Sequence, residues 1–142
     1  MENSGQNRQR LKGCRILLVE DDYSSNVLIE NVLVYNGASV IAVENGEKAV
    51  AYVKDGKPVD LVVLDLRLPN IDGYAVFDQI REILPAIPVF AETAYVYSNE
   101  LAAVIARGFN GYFSKPIDLD RLVDTICSVY DNLPLEDDLS ID

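Results

Sequence analysis

No histidine occurs anywhere in this 142-residue chain. Its absence removes the commonest zinc ligand and the usual general base, and with them Ser/His/Asp and Cys/His nucleophile systems. Cysteine is scarce: Cys14 and Cys127 lie at opposite ends without metal-ligand spacing, and no charged leader followed by an apolar run opens the sequence, so a reduced, cytoplasmic setting is expected. No apolar stretch approaches the roughly 20 residues that cross a bilayer, which excludes membrane insertion. Basic residues are outnumbered 12 to 23, and the resulting net charge of −11 repels phosphate backbones, so direct nucleic-acid binding is not expected. The chemistry left available runs on carboxylates, hydroxyls and lysine.

The composition is that of an ordinary globular protein, 49% hydrophobic and 25% charged, and the length suits one domain that buries roughly two-thirds of its unfolded surface. Residues 1–12 are polar, mildly basic and without apolar periodicity, and read as a disordered leader. Asp131–Asp142 carries five acids and no base, and 132–142 reads as a solvated acidic tail. The folded unit expected is therefore 13–131.

Within it, five β-branched or apolar runs have strand length: Arg15–Val19, Ala38–Val43, Asp60–Leu64, Pro88–Ala91 and Gly111–Phe113. Between and after them lie segments with helical spacing: Ser25–Asn36, Gly46–Lys54, Gly73–Leu84, Ser98–Arg107 and Asp118–Tyr130. Ser24 or Ser25 is placed to cap the first helix, and Gly37, Gly56 and Gly108 to end the first, second and fourth. Asn36-Gly37 reads as a helix stop and Asn45-Gly46 as a helix start rather than as hairpin turns. Strict alternation of strand and helix calls for parallel strands joined by right-handed crossovers, an open α/β sheet wrapped on both faces.

Polar residues follow these strands: Glu20-Asp21-Asp22 after the first, Asp65 after the third, Thr93 after the fourth and Lys115 after the fifth. In open parallel sheets the carboxyl ends of the strands line one crevice, so these groups are expected to converge. Clustered carboxylates need a cation to relieve them, and oxygen-only donors favour a hard ion. We therefore expect Mg²⁺ at Asp21 and Asp65, with Glu20 acting mainly through water. Asp65, the single acid ending a buried strand, is the candidate nucleophile, forming an aspartyl phosphate. Lys115 would neutralise the transferring group and the Thr93 hydroxyl would bond a phosphoryl oxygen. The plainer readings are a turn-forming Asp65, a solvated acidic loop, a Thr93 helix cap and an exposed Lys115. Their joint occurrence at successive strand ends favours the functional one.

The segments Ile16-Leu-Leu-Val-Glu-Asp-Asp22, Leu64-Asp-Leu-Arg-Leu-Pro-Asn-Ile-Asp-Gly73, Thr93-Ala94 and Lys115-Pro116 resemble, in order and spacing, the receiver domain of two-component response regulators over about Cys14 to Tyr130. The resemblance implies a single doubly wound (βα)5 domain with a flavodoxin-like sheet of order 2-1-3-4-5. It implies Asp65 phosphorylated by a histidine kinase or histidine phosphotransfer protein, catalysing its own phosphorylation and dephosphorylation without being a conventional enzyme. It also implies that the backbone carbonyl of Arg67 joins Glu20, Asp21 and Asp65 around the metal and that the Lys115–Pro116 peptide bond is cis. It further implies that Thr93 and Tyr112 form a switch that reshapes the face of the fourth helix, fifth strand and fifth helix for a protein output partner, and a phosphorylation-dependent dimer through that face is an added expectation. Asn26 is similar to receivers of the hybrid-kinase and phosphorelay type.

Three positions depart from the pattern. Arg67 and Tyr95 bear on phosphoryl lifetime, and Glu92 stands where an apolar residue is expected and is read as facing the end of the sheet. If the chain is complete, it lacks an attached output domain and signals by contact with another protein. The alternatives are a constitutive receiver-like interaction module, against which intact Asp21, Asp65, Thr93 and Lys115 argue, and a Mg²⁺-dependent phosphatase. The latter needs a second acid where Arg67 stands.

Overall fold

Strand and helix alternate through the whole of a computed structural model that describes residues 9–69, 71–94 and 98–133. The elements are β1 (Arg15–Val19), α1 (Tyr23–Tyr35), β2 (Ser39–Val43), α2 (Gly46–Lys54), β3 (Leu61–Asp65), α3 (Gly73–Ile83), β4 (Val89–Thr93), α4 (Ser98–Arg107), β5 (Gly111–Ser114) and α5 (Leu119–Asp131). All strand pairs are parallel and the sheet order is β2-β1-β3-β4-β5, the doubly wound arrangement expected. No helix among the described residues is long and apolar enough to cross a membrane.

The core is two clusters, one on each face of the sheet. Leu17, Val19, Val62, Leu64, Val89 and Ala91 meet Ala49, Val53, Val76, Phe77, Ile80 and Val104 from α2, α3 and α4. On the other face Ile16, Leu18, Leu61, Val63, Phe90 and Phe113 meet Ile29 and Leu33 of α1 and Leu122, Ile126 and Cys127 of α5. Because side chains along a strand alternate between faces, Asp65 follows Leu61 and Val63 to the α1/α5 side, and Glu92 follows Phe90 there. Thr93 turns to the opposite face.

Several other element ends shift from the sequence reading by one residue, and three differences matter more. The first helix is capped not by Ser24 or Ser25 but by Asp22, whose side chain accepts from Ser25 N at 2.9 Å, because the chain leaving β1 turns one residue after Asp21. The fourth strand runs two residues further, through Glu92 and Thr93. The folded unit also begins before Gly13: Leu11 is fully buried against the α1/α5 cluster, and its N–H donates to Asn36 O at 2.8 Å. One apolar side chain among polar neighbours carries no periodicity, so composition could not reveal that anchor. Residues 1–8, 70, 95–97 and 134–142, which include most of the leader and the tail, lie outside the described residues.

One arginine closes the far end of the sheet. Arg81 of α3 donates to Leu84 O, Pro85 O and Ile87 O through Nη1, and to Gly108 O and Asn110 Oδ1 through Nη2. Asn110 Oδ1 also accepts from Val89 N at 2.9 Å, which starts β4. Arg81→Ala leaves these acceptors to water and is expected to lower the unfolding free energy by about 1.5–3 kcal/mol, measured by urea denaturation.

Candidate functional site

On the α1/α5 face, β1, β3, β4 and β5 each bring a polar group to the carboxyl end of the sheet. Beyond β1 the turn is tied down by three bonds. Glu20 N donates to Val43 O, Asp22 N donates to Glu20 Oε2 at 3.1 Å, and the Asn26 amide of α1 donates to Glu20 O at 2.9 Å. Glu20 is held fully buried, while Asp21 points into solvent. At the end of β3 the buried Asp65 carboxylate has both oxygens engaged: Lys115 Nζ donates to Oδ2 at 2.8 Å and Arg67 N donates to Oδ1 at 2.9 Å.

Lys115 reaches this point because its own N–H donates to Thr93 O at 2.9 Å, extending the β4–β5 ladder past Ser114. The Lys115–Pro116 peptide is cis. Lys115 Nζ also lies 3.6 Å from Glu20 Oε1, an ion pair longer than a hydrogen bond. One ammonium thus faces several acids. Glu20, Asp21 and Asp65 can each present an oxygen such that all lie within 4.8 Å of one another.

The electrostatics follow from burial and crowding. Burial pushes the Asp65 carboxyl above its ordinary value of 3.8 and the Glu20 charge adds to this, outweighing the Lys115 and Arg67 hydrogen bonds that oppose it. Burial works against the Lys115 ammonium, but its hydrogen bond to Asp65 and the charges of Asp65, Glu20 and Glu92 raise its pKa nonetheless. Asp65 rises despite a cationic partner because a single cation cannot compensate both desolvation and neighbouring acids. An oxygen-only donor set, two of its carboxyls buried and one open to solvent, suits a hard divalent cation.

Glu92 is the residue that sequence reasoning underrated. It pairs with Asp65 in the β3–β4 ladder, and although the sheet does end beside it, its side chain is fully buried against Glu20 rather than directed outward. Burial first, then the Glu20 carboxyl, pushes it well above 4.5. The signal was present: a lone acid at a period-two position after Phe90 in an otherwise apolar strand. Thr93 ends β4 one residue later, buried, and Tyr112 is half-buried against the α2/α3/α4 cluster. The Arg67 side chain is exposed, and Tyr95 lies outside the described residues.

These shifts set a pH dependence. In Asp65 and Glu92 the folded chain binds protons more tightly than the unfolded chain, so their contribution is fully present below the ordinary values of 3.8 and 4.5 and is lost as pH rises through the raised folded values. Urea midpoints in EDTA are therefore expected to fall as pH rises above those ordinary values. Glu92→Gln, which cannot ionise, should flatten that slope.

A family model described as Response regulator receiver domain matches residues 16–127. The chain is 39% identical over 113 residues to the transcriptional regulatory protein TcrA of Mycobacterium tuberculosis, covering 80% of this chain and 44% of TcrA. It is 32% identical over 117 residues to the sensor histidine kinase GacS of Pseudomonas protegens, covering 79% of this chain and 13% of GacS. The chain thus spans less than half the length of these two relatives. Its fold matches the receiver domain of the Francisella response regulator 1452 with a TM-score of 0.79, over 84% of this chain and 98% of that one, at 21% identity.

Proposed function

This chain belongs to the response regulator receiver family, and from that premise we propose that it accepts a phosphoryl group on Asp65 from a phosphohistidine and passes the change to a protein partner. The observation that carries the reading is the state of Asp65: a buried carboxylate with one oxygen on the Lys115 ammonium at 2.8 Å and the oxygens of Glu20 and Asp21 within 4.8 Å. A turn-forming acid has no need of a half-buried lysine partner. The donor is a histidine kinase or histidine phosphotransfer protein, since the chain has no histidine of its own.

Asp21 and Asp65, with the Arg67 backbone carbonyl and with Glu20 through water, would hold Mg²⁺, which neutralises charge on the phosphoryl oxygens and so lowers the barrier. The remaining steps belong to the protein. An Asp65 oxygen attacks phosphorus, the Oδ–P bond forms, the N–P bond of the phosphohistidine breaks, and the ring nitrogen leaves with the bonding pair. Lys115, no longer facing a full carboxylate, donates to a phosphoryl oxygen instead. Arg67 N–H keeps the other Asp65 oxygen oriented.

The signal leaves through Thr93 and Tyr112. Thr93 lies one residue beyond Glu92, the ladder partner of Asp65, and its carbonyl already accepts from Lys115 N–H. A hydroxyl drawn toward the new phosphoryl group would move the end of β4 and let Tyr112 turn inward, changing the α4–β5–α5 surface. The shift between the two arrangements is limited by the differential energy of the phosphoryl contacts in each.

The test is intact-mass spectrometry of the full chain after exposure to phosphoramidate, with Mg²⁺ and with EDTA. A Mg²⁺-dependent gain of one phosphoryl group, discharged by hydroxylamine as acyl phosphates are, is expected. No gain from phosphoramidate, acetyl phosphate or a phosphorylated histidine phosphotransfer protein would instead favour a constitutive interaction module.

A further inference from the structure

α4 is only lightly anchored in the core. Of its described side chains Val104 alone is fully buried, whereas α3 buries Val76, Phe77 and Ile80. Beyond that anchor, polar contacts tie α4 to α3. Tyr74, the second residue of α3, donates its hydroxyl to Glu100 Oε2 in the first turn of α4 at 2.8 Å. At the other end of α4, Arg107 forms a two-pronged pair with Asp78 of α3, Nε to Oδ1 at 3.1 Å and Nη2 to Oδ2 at 2.6 Å. The Arg107 guanidinium also lies 5.1 Å from the centre of the Tyr74 ring, and that ring meets Phe109 edge to face at 6.0 Å. One tyrosine thus touches both ends of α4.

The two helices joined in this way connect to the phosphorylation site through different strands. α3 starts beside the acceptor, because Gly73 N–H donates to Leu66 O, one residue past Asp65. α4 follows β4, which ends at Thr93. A movement of Thr93 toward a phosphoryl group on Asp65 therefore shifts α4 against α3 and strains the Tyr74–Glu100 and Arg107–Asp78 bonds. Those bonds are made while Lys115 holds the unmodified Asp65 carboxylate at 2.8 Å, so they belong to the arrangement that precedes phosphorylation. Their strength suits a switch: an exposed ion pair adds little alone, and a tyrosine hydroxyl on a half-buried carboxylate can exchange its partner for water. We propose that Tyr74, Glu100, Asp78 and Arg107 form a latch that holds α4 in its resting position and sets how much of the phosphoryl group's interaction energy is needed to release it. This rests on the reading of Asp65 as the phosphoryl acceptor.

Two variants of the full chain test it. Tyr74→Phe keeps the ring against Phe109 and loses only the hydroxyl, and Asp78→Asn leaves Arg107 over that ring without its carboxylate. Tyr74 is half-buried and Asp78 exposed, so neither change opens the core and both variants should fold. The probe is fluoroberyllate with Mg²⁺, a tetrahedral, non-transferable stand-in for a phosphoryl group on an Asp oxygen. Because the latch opposes the arrangement that the probe favours, removing it should tighten fluoroberyllate binding, by about fivefold or more in Tyr74→Phe and about twofold in Asp78→Asn, read by calorimetric titration. Methyl NMR gives a second readout. In the probe-free variants the Val104 and Ile105 resonances of α4 should lie on the line joining free and fluoroberyllate-bound wild type, displaced toward the bound end. General loosening of the fold would not place them on that line.

Either variant binding fluoroberyllate no more tightly than wild type, or α4 resonances that leave the line, overturns the latch while the acceptor reading stands. A wild type that takes up no fluoroberyllate in the presence of Mg²⁺ overturns the acceptor reading itself, and the latch with it.

Discussion

Asp65→Asn is expected to take up no hydroxylamine-sensitive phosphate under conditions that label the wild type to completion. The amide is nearly isosteric and its oxygen can still accept from Lys115, so the variant should fold and keep the pocket. It lacks an anionic oxygen to attack phosphorus. Glu20 and Asp21 are the nearest substitutes, but Glu20 Oε2 is bound to Asp22 N–H and Asp21 projects into solvent. Misplacement by even about 1 Å costs on the order of 10²-fold, so labelling at either acid should fall at least that far. Intact-mass spectra of the two proteins side by side decide the point. Equal acyl-phosphate labelling of the asparagine variant would remove Asp65 from the role assigned to it.

The second large effect is structural. Gly73 opens α3 directly behind the acceptor, and its N–H donates to Leu66 O at 3.1 Å. A Cβ there would lie 2.5 Å from Leu66 Cα and 2.8 Å from Asp65 O. Both are backbone atoms of the strand end that carries the acceptor and cannot rotate away. Gly73→Ala is expected to lower the unfolding free energy by about 3 kcal/mol or more and to slow phosphate uptake by displacing Asp65. Gly56→Ala is the control: its φ is +75° but a Cβ there would meet nothing within 4 Å, so only local backbone strain of about 1 kcal/mol applies. Urea unfolding of the two variants separates close approach from conformation; equal losses would contradict the steric account of Gly73.

The success of the sequence reading has a local origin. Runs such as Leu-Val-Val-Leu before Asp65 can satisfy only an interior strand, and Asn45, Gly37 and Gly108 mark helix ends through bonds or backbone angles confined to a few residues. Its misses lie where a residue acts outside its own period. Asp22 and the two serines after it are all competent caps, and which one caps depends on the angle at which the chain leaves β1. Leu11 is anchored by the distant Asn36 and by the α1/α5 cluster. Glu92 occupies a strand position whose neighbours come from β3 and β5, so nothing in its flanking sequence could show that its carboxyl would be placed beside another acid.

By itself, then, the sequence determined the alternation of parallel strands with helices, the ends of most elements, and the presence of acids, a hydroxyl and a lysine at successive strand ends, because periodicity and capping act over a few residues. Only the tertiary structure decided that Lys115 bonds Asp65 at 2.8 Å, that Glu20 is buried while Asp21 next to it is exposed, and that Glu92 lies against Glu20. Distance, burial and proton affinity depend on partners contributed by separate strands, and those partners meet only when the sheet assembles in the order β2-β1-β3-β4-β5.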